Sequence, residues 1–348
     1  MNIKDLLAAV GVIINGLPQG ILALSFGFAS LPTALAFIVG AVGASVFGLV
    51  APISFQAETI TLAGTMSKDL RERLSMIFFG GLIMTVISLF GLNQSIINFV
   101  GPVITNGMMA GVGIMLSAVA VNMAKSSKTV GLSSIGLAFI VYIFSKDLVY
   151  TIVSSVIFSS AVGYFTREQN VSYDNGKESI KLQKLTLNPF VIRGALAMVC
   201  LNIGANIAFG NITGSFSGTS VNIDHLAIVS SLADMASSLF GGGPVESIIS
   251  ATGAAPHPVL AGILMMSLMA VILITGLLPR IGKYVPMESI AGFLLVLGAV
   301  VTFPVNAKLA MEDPVVGGVT AAVTATTDPF TGMAAGLIMK LLKGTLGF

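Results

Sequence analysis

Residues 240–258 read FGGGPVESIISATGAAPHP. They lie between apolar stretches and bring three glycines, a proline and a glutamate together far from any charged loop. Proline is favoured at the first helical position, and a carboxylate in the first turn meets free backbone N–H groups. The stretch therefore predicts a helix start, with Gly243 as cap, Pro244 as first residue and Glu246 as third. The preceding glycines leave room for a ligand or another strand to approach the backbone. An acid recurs in the first half, where Glu58 follows APISFQA (51–57), a β-prone run that contains Gln56.

The surroundings decide what such a helix start means. The chain has 348 residues, of which 55% are hydrophobic and 9% charged, with a mean hydropathy of +0.97. Soluble domains carry about 25% charged residues, so this composition specifies an integral membrane protein, here expected in the plasma (inner) membrane of a prokaryote. A helix starting at membrane depth places partial positive charge there. That charge lowers the cost of an ionised glutamate, which alone would be roughly 3 kcal/mol or more at the bilayer centre. A net charge of +2 gives no basic surface for nucleic acid. The single cysteine, Cys200, excludes a disulfide framework and reads as a small buried hydrophobe. The opening MNIKDLLAAVGVIINGLPQG runs straight into spanning sequence and carries no cleavable signal pattern. Tryptophan is absent, leaving five tyrosines and the Lys/Arg side chains to mark the interfaces.

A spanning helix needs about 20 apolar residues. Fourteen candidate segments follow from that criterion, near 5–26, 33–50, 51–66, 74–92, 103–123, 129–144, 147–165, 189–212, 223–240, 241–254, 257–278, 285–303, 314–327 and 329–346. The third and tenth are too short to cross as plain helices and are expected to be broken. One polar linker, 167–188, separates a first seven-segment repeat (1–166) from a second (189–348). Short strings match in order between the halves: NGLPQ (15–19) with NIGAN (202–206), QAETITLAG (56–64) with PVESIISATG (244–253), MTVISLFGL (84–92) with MAVILITGL (269–277), and AGVGIMLSAVAV (110–121) with AGFLLVLGAVVT (291–302). These matches point to an internal duplication. Seven segments per half insert the second repeat upside down, which is the inverted-repeat plan of secondary transporters. Unwound backbone at membrane depth is tolerated where protein buries it or a cavity solvates it, so the expected fold is all-α and polytopic, with broken third and tenth segments preceded by short strands.

Polar residues inside these segments are the candidate site. Asn15 with Gln19, and Asn202 with Asn206, are spaced i, i+4 and so share a helix face. Together with Glu58, Gln56, Gly243 and Glu246 they predict a ring of amide and carboxylate groups suited to a planar ligand rich in N–H and C=O. Interhelical hydrogen bonding is the alternative for the amides, and helix capping for the two glutamates. Asp234 reads as a bond to a neighbouring helix, TATTDPF (324–330) as the break between the last two segments, and His257 as a membrane boundary with a pH-sensing alternative. No metal-ligand spacing, phosphate loop or nucleophile–base arrangement is present. The chain is therefore not read as an enzyme, and no cofactor or metal is expected.

The pattern resembles the nucleobase transporter superfamily, most closely the azaguanine-type hypoxanthine/guanine/adenine permeases, which share their fold with the sulfate permeases. The resemblance is carried by NGMMAGVGIMLSAVAV (106–121), SSLADMASSLFGGGPVESIISATG (230–253) and TATTDPFTGMAAGLIMKLL (324–342). It implies a core of segments 1–4 and 8–11 moving against a gate of segments 5–7 and 12–14, with substrate between the broken segments and Glu246 gripping a nucleobase N–H edge. It also implies a homodimer and a coupling proton, for which Glu246 and Glu58 are the candidates. Two features depart from the family: Asn202 and Asn206 stand where a second acid is usual, and Gly-Gly-Gly-Pro replaces a Thr/Ser-rich lead.

The expected function is therefore a secondary active or facilitative transporter of a nucleobase, purine rather than pyrimidine, or a similar heterocycle. The alternative is an anion carrier of the sulfate-permease type, in which half-helix N-termini hold the anion. Against it stands the absence of Lys or Arg from 51–66 and 240–253. A membrane scaffold is the third class, disfavoured because broken segments are costly without a ligand to serve. The bases Lys68, Arg71, Arg73, Lys125, Lys128, Arg167, Lys177, Lys181, Lys184, Arg280 and Lys283 follow odd-numbered segments. The positive-inside rule puts those loops in the cytoplasm and the start of segment 1 outside, opposite to the family's topology.

Overall fold

A computed structural model describes residues 2–166 and 180–346, apart from the side chains of Asn206 and Leu346. Arg167, Lys177 and the rest of 167–179 lie outside the described residues. In chain order the elements are α1 (Ile3–Ser25), α2 (Ser30–Phe47), β1 (Ile53–Ser54), α3 (Ala57–Met66), α4 (Leu70–Leu89), α5 (Asn93–Val100), α6 (Pro102–Ser126), α7 (Lys128–Ser145) and α8 (Leu148–Thr166). The second half follows with α9 (Pro189–Ser217), α10 (Ile223–Ser238), β2 (Glu246–Ser247), a 3₁₀ turn (Ala251–Ala254), α11 (Pro258–Ile274) and α12 (Leu277–Gly282). A second 3₁₀ turn (Met287–Ile290), α13 (Ala291–Leu295), a π-helical run (Val296–Thr302), α14 (Phe303–Ala310), α15 (Pro314–Thr326) and α16 (Pro329–Leu346) complete it.

Eight helical stretches among the described residues are long and apolar enough to cross a membrane. The chain is an integral membrane protein, and each of the fourteen stretches read from the sequence coincides with a helix or a broken element. The short helices α5 and α12 and the π-helical run were not foreseen. Pro304 has no N–H to offer the carbonyl of Val300, and the widened turn lies just before it.

The chain divides into two compact units. The first comprises residues 1–92, 170–195 and 205–287. In it α2 packs on both α10 and α11, α4 packs on α10, and α1 lies on α11 and α3. Phe37 meets Phe55 edge-on at 5.3 Å in its core. One end of this unit is fastened by Arg73, whose Nη1 donates to Phe26 O at 2.5 Å and whose Nε donates to Ser67 O at 2.6 Å. Its guanidinium thus bonds the carbonyl that caps the C-terminal, partially negative end of α3. Residues 180–188 of the linker join the same end: Arg71 Nε donates to Lys184 O at 2.6 Å, and Thr186 N to Ser75 Oγ at 3.0 Å. At the other end the buried Asp5 caps α1 and accepts from both the backbone N and Nδ1 of His257, each at 3.0 Å.

The second unit comprises residues 93–169, 196–204 and 288–348. An α7–α8 pair and a group of α6, α14, α15 and α16 make up most of it. Lipid tails give apolar helices no hydrophobic reason to associate, so close packing through small residues takes over. At Gly113 a Cβ would stand 2.8 Å from Gly298 O, and at Gly107 it would stand 2.8 Å from Gly317 O.

Candidate functional site

The site is built where two broken segments meet inside the first unit. β1 and β2 pair antiparallel, with Ile53 opposite Ser247 and Ser54 opposite Glu246. Exchanging the strands turns Ile53 into Glu246 and Ser54 into Ser247, so the pairing is two-fold symmetric at the level of residues. This register corrects the equivalence drawn from the sequence. Glu246 corresponds to Ile53 and not to Glu58, and the residue matching Ser54 is Ser247.

The expected helix start at Gly243 is also corrected. Residues 243–250 form no helix, with Glu246–Ser247 in strand β2, and helical turns begin only at Ala251, capped by the side chain of Ser250. The N–H groups that a helix would use internally are taken by tertiary acceptors. Gly243 N donates to Thr33 Oγ1 at 2.8 Å, Val245 N to Asp234 Oδ1 at 2.8 Å, Ile248 N to Pro52 O at 3.3 Å and Ser250 N to Thr213 Oγ1 at 3.1 Å. Ser237 Oγ donates to Gly243 O at 2.7 Å, so both backbone groups of Gly243 are spent on scaffold. Glu246 therefore lies in a strand, and no helix dipole begins at it.

The first-half break keeps the predicted polarity. α3 starts after Gln56, with Glu58 as its second residue. Gln56 makes no side-chain cap, and its Oε1 instead accepts from Thr59 Oγ1 at 3.1 Å. The positive end of the α3 dipole therefore has no cap from Gln56, and the Glu58 carboxyl turns back onto its own backbone N–H in the first turn. Glu58, Gln56 and Glu246 are all buried.

Two side chains that the sequence reading passed over stand out. Ser54 and Ser247 are 1% and 0% exposed, and neither hydroxyl has a hydrogen-bond partner among the described residues. A Cβ at Gly16 of α1 would lie 3.1 Å from Ser54 Oγ, and one at Gly210 of α9 would lie 3.9 Å from Ser247 Oγ. Each hydroxyl thus rests against a glycine in the first helix of its own repeat. The signal was present in the sequence as that paired Gly–Ser spacing.

The predicted ring of amides is brought together only in part. Gln19 is buried and donates Nε2 to Asn15 O at 3.3 Å within α1, while Asn15 Oδ1 is buried without a partner among the described residues. Asn202 is buried but belongs to the second unit, and Asn206 lies on α9 in the first with its side chain outside the described residues. Asp234, read as a structural bond, supports Val245 next to Glu246. His257 caps α11 at the end of the broken stretch, and Asp328 opens α16 by accepting from Thr331 N at 2.9 Å. No Lys or Arg is among the buried residues described, and no group of three His, Cys, Asp or Glu suited to a metal is present among them.

The sequence matches no family model and no curated protein. Solved structures do share the fold. SLC26A9 matches with a TM-score of 0.68 at 14% identity, covering 99% of this chain and 65% of its own. The transmembrane domain of a cyanobacterium bicarbonate transporter, BicA, matches with a TM-score of 0.63 at 14% identity, covering 97% of this chain and 98% of its own. Murine Slc26a9, described as an anion transporter in the inward-facing state, matches with a TM-score of 0.66 at 12% identity, covering 99% and 68%. The chain thus spans just under two thirds of the length of the first of these proteins.

Proposed function

We propose that the chain is a secondary transporter whose solute site is the β1–β2 break, and that its solute is a small anion. The observation that carries this reading is the pair of buried hydroxyls, Ser54 and Ser247, with no partner among the described residues. A buried polar group left unsatisfied costs about 1–3 kcal/mol, and an anion takes hydrogen bonds from hydroxyls and from first-turn amides such as those of α3. Two of the proteins that share the fold are described as bicarbonate and anion transporters. Alternating access, with the first unit carrying the site and the second serving as gate, is the mechanism we assign. A prokaryotic inner membrane is the setting we assign.

Glu58 is the difficulty for an anion, because an ionised carboxylate beside it repels. We assign Glu58 the coupling proton, so that the loaded site is neutral at that position. A nucleobase is the second reading, favoured by Asn15 Oδ1, an amide oxygen buried without a partner among the described residues.

The test is the unfolding midpoint of purified protein across a panel of chloride, bicarbonate, sulfate, small carboxylates, purines and pyrimidines. A ligand raises the midpoint by preferring the folded state. The expected result is stabilisation by one or more anions, strengthened at neutral pH by Glu58→Gln. Stabilisation by nucleobases alone would overturn the anion reading.

A further inference from the structure

The second unit carries an apolar groove that the solute site does not use. It lies along the α7–α8 hairpin, has a volume of about 720 Å³, and has Leu137 and Val141 of α7 and Tyr150, Ser154, Ile157 and Ala161 of α8 among its walls. Ser154 and Ala161 are seven apart and small, so they lie on one face of α8 and leave the groove wide between the bulkier Tyr150 and Ile157. Ser154 donates its hydroxyl to Tyr150 O within α8, so it adds width without an unmet polar group. Beside Leu137, a Cβ at Gly136 would meet nothing within 4 Å, so no described residue covers that edge. From Tyr150 to Ala161 a helix rises about 17 Å at about 1.5 Å per residue. The hydrocarbon of one leaflet is roughly 15 Å deep, half of a bilayer core of about 30 Å. The groove thus has the length of one acyl chain. A spanning helix of a second copy would need about twice that length.

The groove ends at the α7–α8 connection, and the charge there says which lipid fits. Lys146 stands in that connection, exposed, as the C-cap of α7, with its N–H bonded to Tyr142 O. It is the one non-glycine residue with positive φ (54°) among the described residues. Glycine takes that conformation without the crowding that a Cβ brings, so the turn itself gives no reason for a lysine. Its ammonium lies 5.7 Å from the centre of the Tyr142 ring and makes no ion pair among the described residues. The neighbouring acid is occupied elsewhere: Asp147 Oδ1 accepts from Val149 N at 2.7 Å and from Tyr150 N at 3.1 Å, which caps α8. Tyr150, 67% exposed, adds a phenol at the same end, and tyrosines settle at headgroup level. We propose that the α7–α8 groove is a binding site for an anionic phospholipid, with one acyl chain along Tyr150–Ala161 and the phosphate held by Lys146 and the Tyr150 hydroxyl. Burial of the chain supplies affinity, and the lysine supplies the preference for a negative headgroup.

The experiment is the unfolding midpoint of the purified full chain in a neutral detergent, with dioleoyl phosphatidylglycerol or dioleoyl phosphatidylcholine added at equal mole fraction. Glycerol 3-phosphate, a headgroup without chains, is the third arm. At about tenfold above its dissociation constant, phosphatidylglycerol is expected to raise the midpoint by roughly 2 °C over phosphatidylcholine. Glycerol 3-phosphate is expected to give no shift. Lys146→Gly suits the left-handed turn, so its midpoint in phosphatidylcholine is expected to equal or exceed that of the wild type while the difference between the lipids disappears. Ala161→Phe fills the groove from an exposed position. It is expected to cut the phosphatidylglycerol shift by half or more, and decides the matter if Lys146→Gly does not fold. Equal midpoints in the two lipids, an unchanged difference in either variant, or the same shift from glycerol 3-phosphate would overturn the proposal. Loss of a dimer in Ala161→Phe with the lipid shift unchanged would give the groove to a second copy of the chain and overturn it as well.

Discussion

A hydroxyl buried without a partner weakens a fold by about 1–3 kcal/mol, and Ser54 and Ser247, at matching places in the strand pair, are two such hydroxyls among the described residues. Ser54→Ala and Ser247→Ala are therefore expected to leave the empty protein as stable as the wild type or more so. Each is expected to weaken solute binding about tenfold or more, the worth of one hydrogen bond to a charged group. Parallel unfolding and binding titrations check both halves of that statement. Outside the spans, Asp313 caps α15 and accepts from Lys343 Nζ at 2.8 Å. The hydrogen bond from the Lys343 ammonium is the main reason the Asp313 carboxyl is held below its ordinary value, against a smaller opposing effect of burial. A lowered carboxyl contributes stability above its unfolded value, about 3.9, and loses it as pH falls through the folded one. The midpoint difference between wild type and Lys343→Gln should accordingly be present at pH 6 and shrink toward zero on acidification below about pH 4. A difference that grows with acid would contradict the assignment. At this scale the sequence made Glu58 and Gln56 legible as the start of a half-helix. It hid the serines, because a serine among apolar residues is compatible with many unremarkable bonds.

The elements explain why one break was read correctly and the other was not. Pro244 and Glu246 satisfy the local rules for a helix start, yet the chain there is not helical and Glu246 enters a strand. Thr33, Asp234 and Pro52, from α2, α10 and the approach to β1, take the N–H groups of Gly243, Val245 and Ile248. Thr33 and Pro52 lie in the other half of the chain and Asp234 lies 11 residues away on another helix, so no helix-start pattern encodes them. The register of the duplication was lost for a related reason: apolar strings resemble one another at several offsets, and only the strand pairing fixes which is right. Segment positions were legible because about 20 apolar residues leave little freedom in a bilayer. Close helix packing in the second unit gives a direct test. Gly113→Ala would press a methyl against Gly298 O and Phe303 N, both at 2.8 Å, whereas at Gly136 nothing lies within 4 Å. Gly113→Ala is expected to cost about 1–3 kcal/mol, and Gly136→Ala to be neutral or slightly stabilising. Equal midpoints for the two variants would show that the α6 approach is looser than described.

For the whole molecule, the chain divides into two units and shares its fold with SLC26A9 and the transmembrane domain of BicA, and the strand-pair break lies in the first of those units. The charge pattern adds an orientation. Within the first unit Arg73 bonds Phe26 after α1, and Arg71 bonds Lys184 and Leu185 in the linker, so one end of this unit gathers the bases. Asp5 and His257 hold the opposite end. The positive-inside rule predicts the basic end in the cytoplasm, opposite to the topology of the family that the sequence resembles. In a Cys200→Ser background, a cysteine at Lys4 should react with an impermeant reagent from outside intact cells, and one at Lys68 only after the membrane is opened. The reverse pattern would invert the topology.

The central claim is that an anion is carried by the hydroxyls of the β1–β2 break. Its most direct test is uptake of the stabilising anion into proteoliposomes containing wild type or Ser54→Ala/Ser247→Ala protein, with nucleobases as competitors. The account predicts uptake by the wild type that nucleobases leave unchanged and that falls at least tenfold in the double variant. Uptake unaltered in a folded double variant, or abolished by a nucleobase, would contradict it.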